Sequence, residues 1–187
     1  MIFHRPGPCR FIVLPPPVGI ERVTSFKLLG VYLASTLSME NHINYVLLLV
    51  NQRLYLINQL RKQGLSAKAR EVVFHSLVIS RLLYALPAFV GFLSGADIAR
   101  FNSVFRKSVR WGIIDRMFDF DELSISSQDQ LFKRFSTNFN HCLHQLLPEL
   151  RNTCYMLRQR GHSFSLPVVS RTLFKKSFVV NYLYSHM

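Results

Sequence analysis

From Ser38 onward the apolar residues fall into a helical rhythm. Ile43, Leu47, Val50, Leu54 and Ile57 recur three or four residues apart, and Gly64 follows as a C′ residue. An amphipathic helix with Ser38 as N-cap is therefore predicted. Ser66 is placed to cap a second helix from Ala67 to about Ala85, stopped by Pro87. The short connection makes these two an antiparallel hairpin. A third helix opens with the capping-box sequence Ser94-Gly95-Ala96-Asp97 and carries Ile98, Phe101, Phe105 and Val109 on its inner face. Leu131, Phe135, Phe139 and Leu143 repeat every four residues up to Pro148, which predicts a fourth. Ahead of Ser38 the pattern changes to strand. Phe11 to Leu14 and Lys27 to Leu33 are short apolar or β-branched runs separated by Pro15-Pro16-Pro17 and Gly19. The expected fold is mainly α: a short N-terminal β element (1–37), a helical bundle (38–148), and an irregular basic and aromatic tail (149–187).

Composition changes this picture mainly through charge. With 187 residues and 49% apolar content the chain can bury a core, as one domain or two small lobes. Its 23 Lys and Arg outweigh 10 Asp and Glu, giving a net charge of +13, so a polyanionic partner is expected rather than a small neutral metabolite. The competing interpretation is a basic surface that serves solvation alone or is the solvent face of a piece of something larger. Five of the ten carboxylates, Asp115, Asp119, Asp121, Glu122 and Asp129, interrupt this basic background in one short segment. The longest nearly uncharged stretch, Leu82 to Ala96, contains Pro87, Gly91 and Gly95. It falls short of the roughly 20 apolar residues of a spanning helix and is expected to be buried helix plus turn, with no membrane partner. Cys9, Cys142 and Cys154 show no CxxC spacing, which points to a reducing compartment. No apolar h-region follows the N-terminal basic residues, so a nuclear or cytoplasmic protein is expected, not a secreted one.

The chemistry that the sequence offers is thin. Two-metal phosphoryl transfer needs converging carboxylates, commonly an adjacent Asp-Asp, and the chain has none. Asp119-Phe120-Asp121-Glu122 comes nearest, but it sits between helices, where an acidic loop or first helical turn is the usual explanation. None of the seven histidines is followed two residues later by Asp or Glu, so the facial triad of a non-haem iron dioxygenase is missing. His141 and His144 are spaced to share a helix face and could ligate zinc with Cys154, but no fourth ligand stands out and helix-end hydrogen bonding is the simpler expectation. No Gly-x-Ser-x-Gly elbow occurs. No catalytic residue and no metal ligand is therefore assigned. What remains is the interleaving of basic and aromatic residues in the third helix and the tail, as phosphate and base contact require. Arg100, Arg106, Lys107, Arg110, Arg158, Arg160, Lys175 and Lys176 are the candidate nucleic-acid contacts, whereas the spacing of Phe101 and Phe105 fits the core.

In order, several of these segments resemble the region that follows the catalytic palm in non-LTR (LINE-type) retrotransposon reverse transcriptases. Phe26-Lys27-Leu28-Leu29-Gly30-Val31 is similar to the F-K-x-L-G-V strand of that family, and Leu37-Ser38 with His42-Ile43 to its L-x-W-x-x-H-I, with Met39 in place of the Trp. Arg53-Leu54-Tyr55 and Leu60 to Leu65 resemble R-L-Y and L-K-R-x-G-L, and Ser76 to Pro87 resembles S-x-I-R-P-x-L-x-Y-A-x-P. His141 to Pro148 resembles H-P-L-H-x-L-L-P, and Tyr155 to Arg158 and Arg171 to Phe178 resemble the terminal Y-x-L-R and R-x-x-x-F-x-x-S-F pieces. Ala88-Phe89-Val90 and Phe105 depart from the pattern, where a Trp and a Gln are usual.

The resemblance implies a thumb-like helical piece of an RNA-directed DNA polymerase. It would hold RNA template and DNA primer beside palm and fingers domains that carry the Tyr-x-Asp-Asp turn ahead of the F-K-x-L-G-V strand. Mg²⁺ would belong to that parent polymerase, and no cofactor to this segment. Two other readings stay open. One is a non-enzymatic, transposon-derived nucleic-acid-binding relic. The other is a protein with a domain resembling an alkylated-DNA-repair (AlkB-type) homologue.

Overall fold

The computed structural model describes residues 1–3, 15–151 and 162–186. The strand expected at Phe11 to Leu14 lies outside them. The fold is mainly α, with 58% of the described residues in helix and a two-stranded antiparallel sheet near the N-terminus. By its internal contacts the chain divides into two compact units, one of Met1–Arg81 with Ser94–Asp115, the other of Leu82–Leu93 with Arg116–Met187.

The first unit begins with a hairpin of β1 (Ser25–Leu28) and β2 (Val31–Ala34), in which Phe26 faces Leu33 and Lys27 faces Tyr32. The single run expected from Lys27 to Leu33 thus folds back on itself. Leu29 and Gly30 both have positive φ, 45° and 86°, the backbone of a type I′ turn whose twist matches that of paired strands. An apolar Leu at the first of these positions gives no turn signal in the sequence, because Asn, Asp or Gly usually fills it.

The long helix α1 spans Glu40–Lys62. Met39 rather than Ser38 is its N-cap, although the Ser38 hydroxyl still accepts from the Glu40 amide at 3.3 Å. Its C-terminus is a Schellman motif around Gly64 (φ 94°): the amide of Leu65 bonds the Leu60 carbonyl and that of Gly64 the Arg61 carbonyl, each at 3.1 Å. The predicted stripe Ile43, Leu47, Val50, Leu54 and Ile57 is buried, with Val46. At about 1.5–3 kcal/mol for each fully buried side chain, it is a main source of this unit's stability. α1 packs against β2, against α2 (Ala67–Phe74) with the π-helical stretch His75–Ile79 that follows it, and against α5 (Gly95–Arg110).

The second predicted helix is capped as expected, Ser66 accepting from the Ala69 amide, but it is not uniform. The π stretch interrupts it before α3 (Ser80–Leu83), and Ala85 turns left-handed at φ 55° before α4 (Leu86–Phe89). The run Ala67–Phe92 (26 residues, with an 18-residue stretch of mean hydropathy 1.6) is long and apolar enough, by length and composition alone, to cross a bilayer. The left-handed Ala85 followed by Pro87 breaks it as a continuous helix.

In the second unit, α6 spans Phe120–Thr137. It starts earlier than the four-residue repeat predicts, because Asp119 caps it and Asp121 and Glu122 sit in its first turn, where the helix dipole favours negative charge. It also ends sooner. The Ser136 and Thr137 hydroxyls both turn back to the Lys133 carbonyl, and Asn138 accepts from the Asn140 amide in a local turn. Phe139 is consequently 81% exposed rather than on an inner face. The core of this unit joins Phe132 and Phe135 to Val179, Tyr182 and Leu183 of α8 (Phe178–Ser185).

Candidate nucleic-acid interface

The capping box that opens α5 is complete: the Ser94 side chain accepts from the Asp97 amide, and the Asp97 carboxylate accepts from Ser94. The helix buries Phe101, Val104, Phe105 and Ser108. Ile98 and Val109 of the predicted inner face are only half-buried, since the stripe runs through Val104 and Ser108. With 3.6 residues per turn, Arg100, Arg106, Lys107 and Arg110 fall within about 120° of arc on the side away from that stripe. Arg100, Arg106 and Arg110 are exposed and Lys107 is half-buried.

Two of these four cations are held by α1. Arg100 donates to Asn44 Oδ1 at 2.6 Å, and lies 3.7 Å from Asp97. Lys107 donates to Asn51 Oδ1 at 2.8 Å and sits 4.5 Å from the Trp111 ring centroid. The Asn51 amide is itself fixed, because its nitrogen donates to the Leu47 carbonyl at 2.8 Å and so turns the oxygen toward the lysine. Both contacts step forward by seven residues on α1 and on α5; the two helices therefore run parallel, and the cations stand about 10.5 Å apart along the axis.

A second cationic cluster, missed by sequence reasoning, gathers around Tyr45 of α1. Lys27 of β1 donates to the Tyr45 hydroxyl at 3.1 Å and lies over the Tyr45 and Tyr32 rings at 4.5 and 5.4 Å. Arg81 of α3 also lies over the Tyr45 ring, 5.3 Å from its centroid. The hydrogen bond from Lys27, with Arg81 and Arg53 nearby, holds the Tyr45 phenol below the ordinary tyrosine range against a smaller opposing effect of burial. Behind it the buried His42 accepts from the Tyr32 amide through Nδ1 at 3.4 Å. Burial, then Arg81 and Lys27, lowers its pKa from 6.5 to about 4. Arg53 donates to the Leu77 carbonyl inside the π stretch, where the widened turn leaves a carbonyl open to a side chain.

In the second unit Lys175, on α7 (Thr172–Lys175), lies over Tyr184 at 5.2 Å, and Lys176 over Phe92 at 6.0 Å. Both are exposed. Arg158 and Arg160 lie outside the described residues. The structure thus brings Arg100, Arg106, Lys107 and Arg110 onto one face, and Lys175 and Lys176 onto a separate unit.

The two histidines weighed as zinc ligands make local hydrogen bonds instead. His144 bonds the Phe135 carbonyl at 2.8 Å, closing the end of α6, and His141 Nδ1 accepts from the Leu143 amide at 3.1 Å. They sit in a turn and a 3-10 segment rather than on one helix face; Cys154 is outside the described residues. Among the described residues no group of three His, Cys, Asp or Glu side chains is placed to hold a metal. A cavity of about 570 Å³ in the second unit is lined by apolar groups such as Leu131, Leu143, Phe178 and Leu183, and the hydroxyl of its Ser177 is committed to the Phe174 carbonyl. Comparison of the chain with protein-family models, with curated proteins and with solved structures finds no match.

Proposed function

We propose that the chain acts as the post-palm, thumb-side part of a non-LTR retrotransposon reverse transcriptase and grips the backbone of RNA template and DNA primer. Two supports are independent of each other: the ordered series of sequence resemblances, and the surface of α5. The observation that carries the reading is the gathering of Arg100, Arg106, Lys107 and Arg110 on the side of α5 opposite its buried stripe, in a chain of net charge +13.

Such a face works by neutralising phosphates and releasing their counterions, which gives affinity without sequence preference. The Lys27, Arg53 and Arg81 cluster around Tyr45 extends the positive field of the same unit. Lys175 and Lys176, with Arg158 and Arg160, are assigned the same role in the remainder of the chain. Phosphoryl transfer itself belongs to the palm of the parent polymerase, whose carboxylates and Mg²⁺ would do the chemistry.

The test is titration of the purified chain against a fluorescent RNA/DNA hybrid over a salt series. Four cations engaging four phosphates predict a log–log slope of about 3.6 at roughly 0.9 per phosphate, and no nucleotide incorporation by the chain alone with Mg²⁺. Affinity that is flat from low to moderate salt would remove the basis of this reading.

A further inference from the structure

On α1, Asn44, Leu48, Asn51 and Tyr55 are spaced by four, three and four residues, so they form one ridge about 16 Å long. This ridge is distinct from the buried stripe of Ile43, Val50, Leu54 and Ile57. Its two asparagines hold Arg100 and Lys107 from α5. Between and beyond them, Leu48 and Tyr55 are 58% and 57% exposed, and with Asn51, Gln52 and Leu56 they line a shallow groove of about 570 Å³. Cation, apolar side chain, cation and aromatic ring therefore alternate along a single edge.

We infer that this ridge is a track for single-stranded nucleic acid, with Lys107 and Arg100 contacting phosphates of the strand and the Tyr55 ring stacking on one of its bases. The inference rests on the nucleic-acid-binding reading above and narrows it to a strand form. A duplex can offer phosphates to the cations, but its bases are already stacked in the helix interior and leave Tyr55 with nothing to cover. An unpaired strand offers both charge and an open π-face, and stacking of that kind tolerates any base. Asn51 contributes by positioning: it fixes Lys107 at the groove edge while its own amide is tied to the Leu47 carbonyl. Leu48 and Leu56 provide the dry floor against which a sugar and base edge pack.

The experiment uses the full chain, a fluorescent 12-nucleotide oligo(U) strand, and an RNA/DNA hybrid of equal length at one fixed salt concentration. Tyr55→Ala is expected to weaken oligo(U) binding roughly tenfold, the scale of one lost stacking contact, with hybrid binding held within about twofold. Tyr55→Trp should restore oligo(U) affinity, and its fluorescence should quench on binding. Circular dichroism spectra that match wild type verify that both variants fold. Equal losses for strand and hybrid, or a Tyr55→Trp variant no better than Tyr55→Ala, would overturn the track while leaving backbone binding intact. Failure of the wild-type chain to bind either probe would overturn both readings together.

Discussion

Tyr182 donates its hydroxyl to Asp129 Oδ1 at 2.8 Å, tying α8 to α6 across the core of the second unit. The same phenol ring is stacked on Phe132 on one side and on His186 on the other, each with centroids 4.1 Å apart, and His186 Nε2 lies 3.4 Å from the same carboxylate. Burial, followed by the hydrogen bond and the negative charge of Asp129, raises the Tyr182 pKa well above the usual tyrosine value of 10. Its folded-state proton is thus held more tightly than in the unfolded chain. The associated stability is fully present below about pH 10 and is lost as pH rises beyond it. Tyr182→Phe keeps the ring stack and removes the bond. The expected cost at neutral pH is about 1 kcal/mol, with a shallower alkaline decline than wild type, read from denaturant midpoints between neutrality and pH 11.

His42 predicts the opposite limb. Its pKa falls from 6.5 to about 4, chiefly through burial and then through Arg81 and Lys27. The unfolded chain therefore binds a proton that the folded chain refuses. The stability linked to neutral His42 is present above about pH 6.5 and is lost as pH falls toward 4. His42→Gln should flatten this part of the stability curve relative to wild type. Urea midpoints at pH 7, 5.5 and 4.5 measure it; parallel curves for the two proteins would contradict the assignment.

Two glycines separate strain from space. Gly64 adopts φ 94° with nothing near the place of a Cβ, so Gly64→Ala costs about 1 kcal/mol through backbone conformation alone. At Gly91 an added Cβ would stand 2.3 Å from the Lys176 carbonyl oxygen, and the backbone must move to admit it. Gly91→Ala is expected to be the more damaging by several degrees in Tm, monitored by circular dichroism. Leu29, 83% exposed at φ 45°, gives the converse: Leu29→Gly or Leu29→Asn relieves the left-handed backbone and should stabilise the chain by up to about 1 kcal/mol.

For the α5 face, Arg106→Ala and Arg110→Ala remove exposed cations. Each should lower hybrid affinity uniformly across sequences and reduce the salt slope by about 1, with thermal stability unchanged. Anisotropy titrations on two unrelated hybrid sequences read both effects, and a loss confined to one sequence would point to base readout instead.

Much of the helical framework was legible because it depends on local chemistry. The period of Ile43, Leu47, Val50, Leu54 and Ile57 places α1, Gly64 ends it, and Ser66 and Ser94 with Asp97 set the starts of the next helices. The four α5 cations could be put on one helix by the same reasoning. Their anchoring to Asn44 and Asn51 could not, since it depends on two segments far apart in the chain becoming parallel neighbours. The grouping of Lys27, Tyr45 and Arg81 was hidden for the same reason. Elsewhere the pattern misled: the four-residue repeat through Phe139 continues past Thr137, but side-chain hydroxyls and Asn138 compete for the backbone there and end the helix.

The path of the chain carries a further consequence. Because Leu82–Leu93 belongs with Arg116–Met187, and Ser94–Asp115 with Met1–Arg81, no single cut yields a whole unit free of a piece of the other. A ribosome has to deliver α5 before α1 gains its parallel neighbour, and by then the opening segment of the other unit has already emerged. A chain ended after Asp115 keeps the first unit complete but carries Leu82–Leu93 without its partners, and a chain begun at Leu82 keeps the second complete but carries Ser94–Asp115 without its own, so two complementing fragments must each overlap the other through this exchanged stretch.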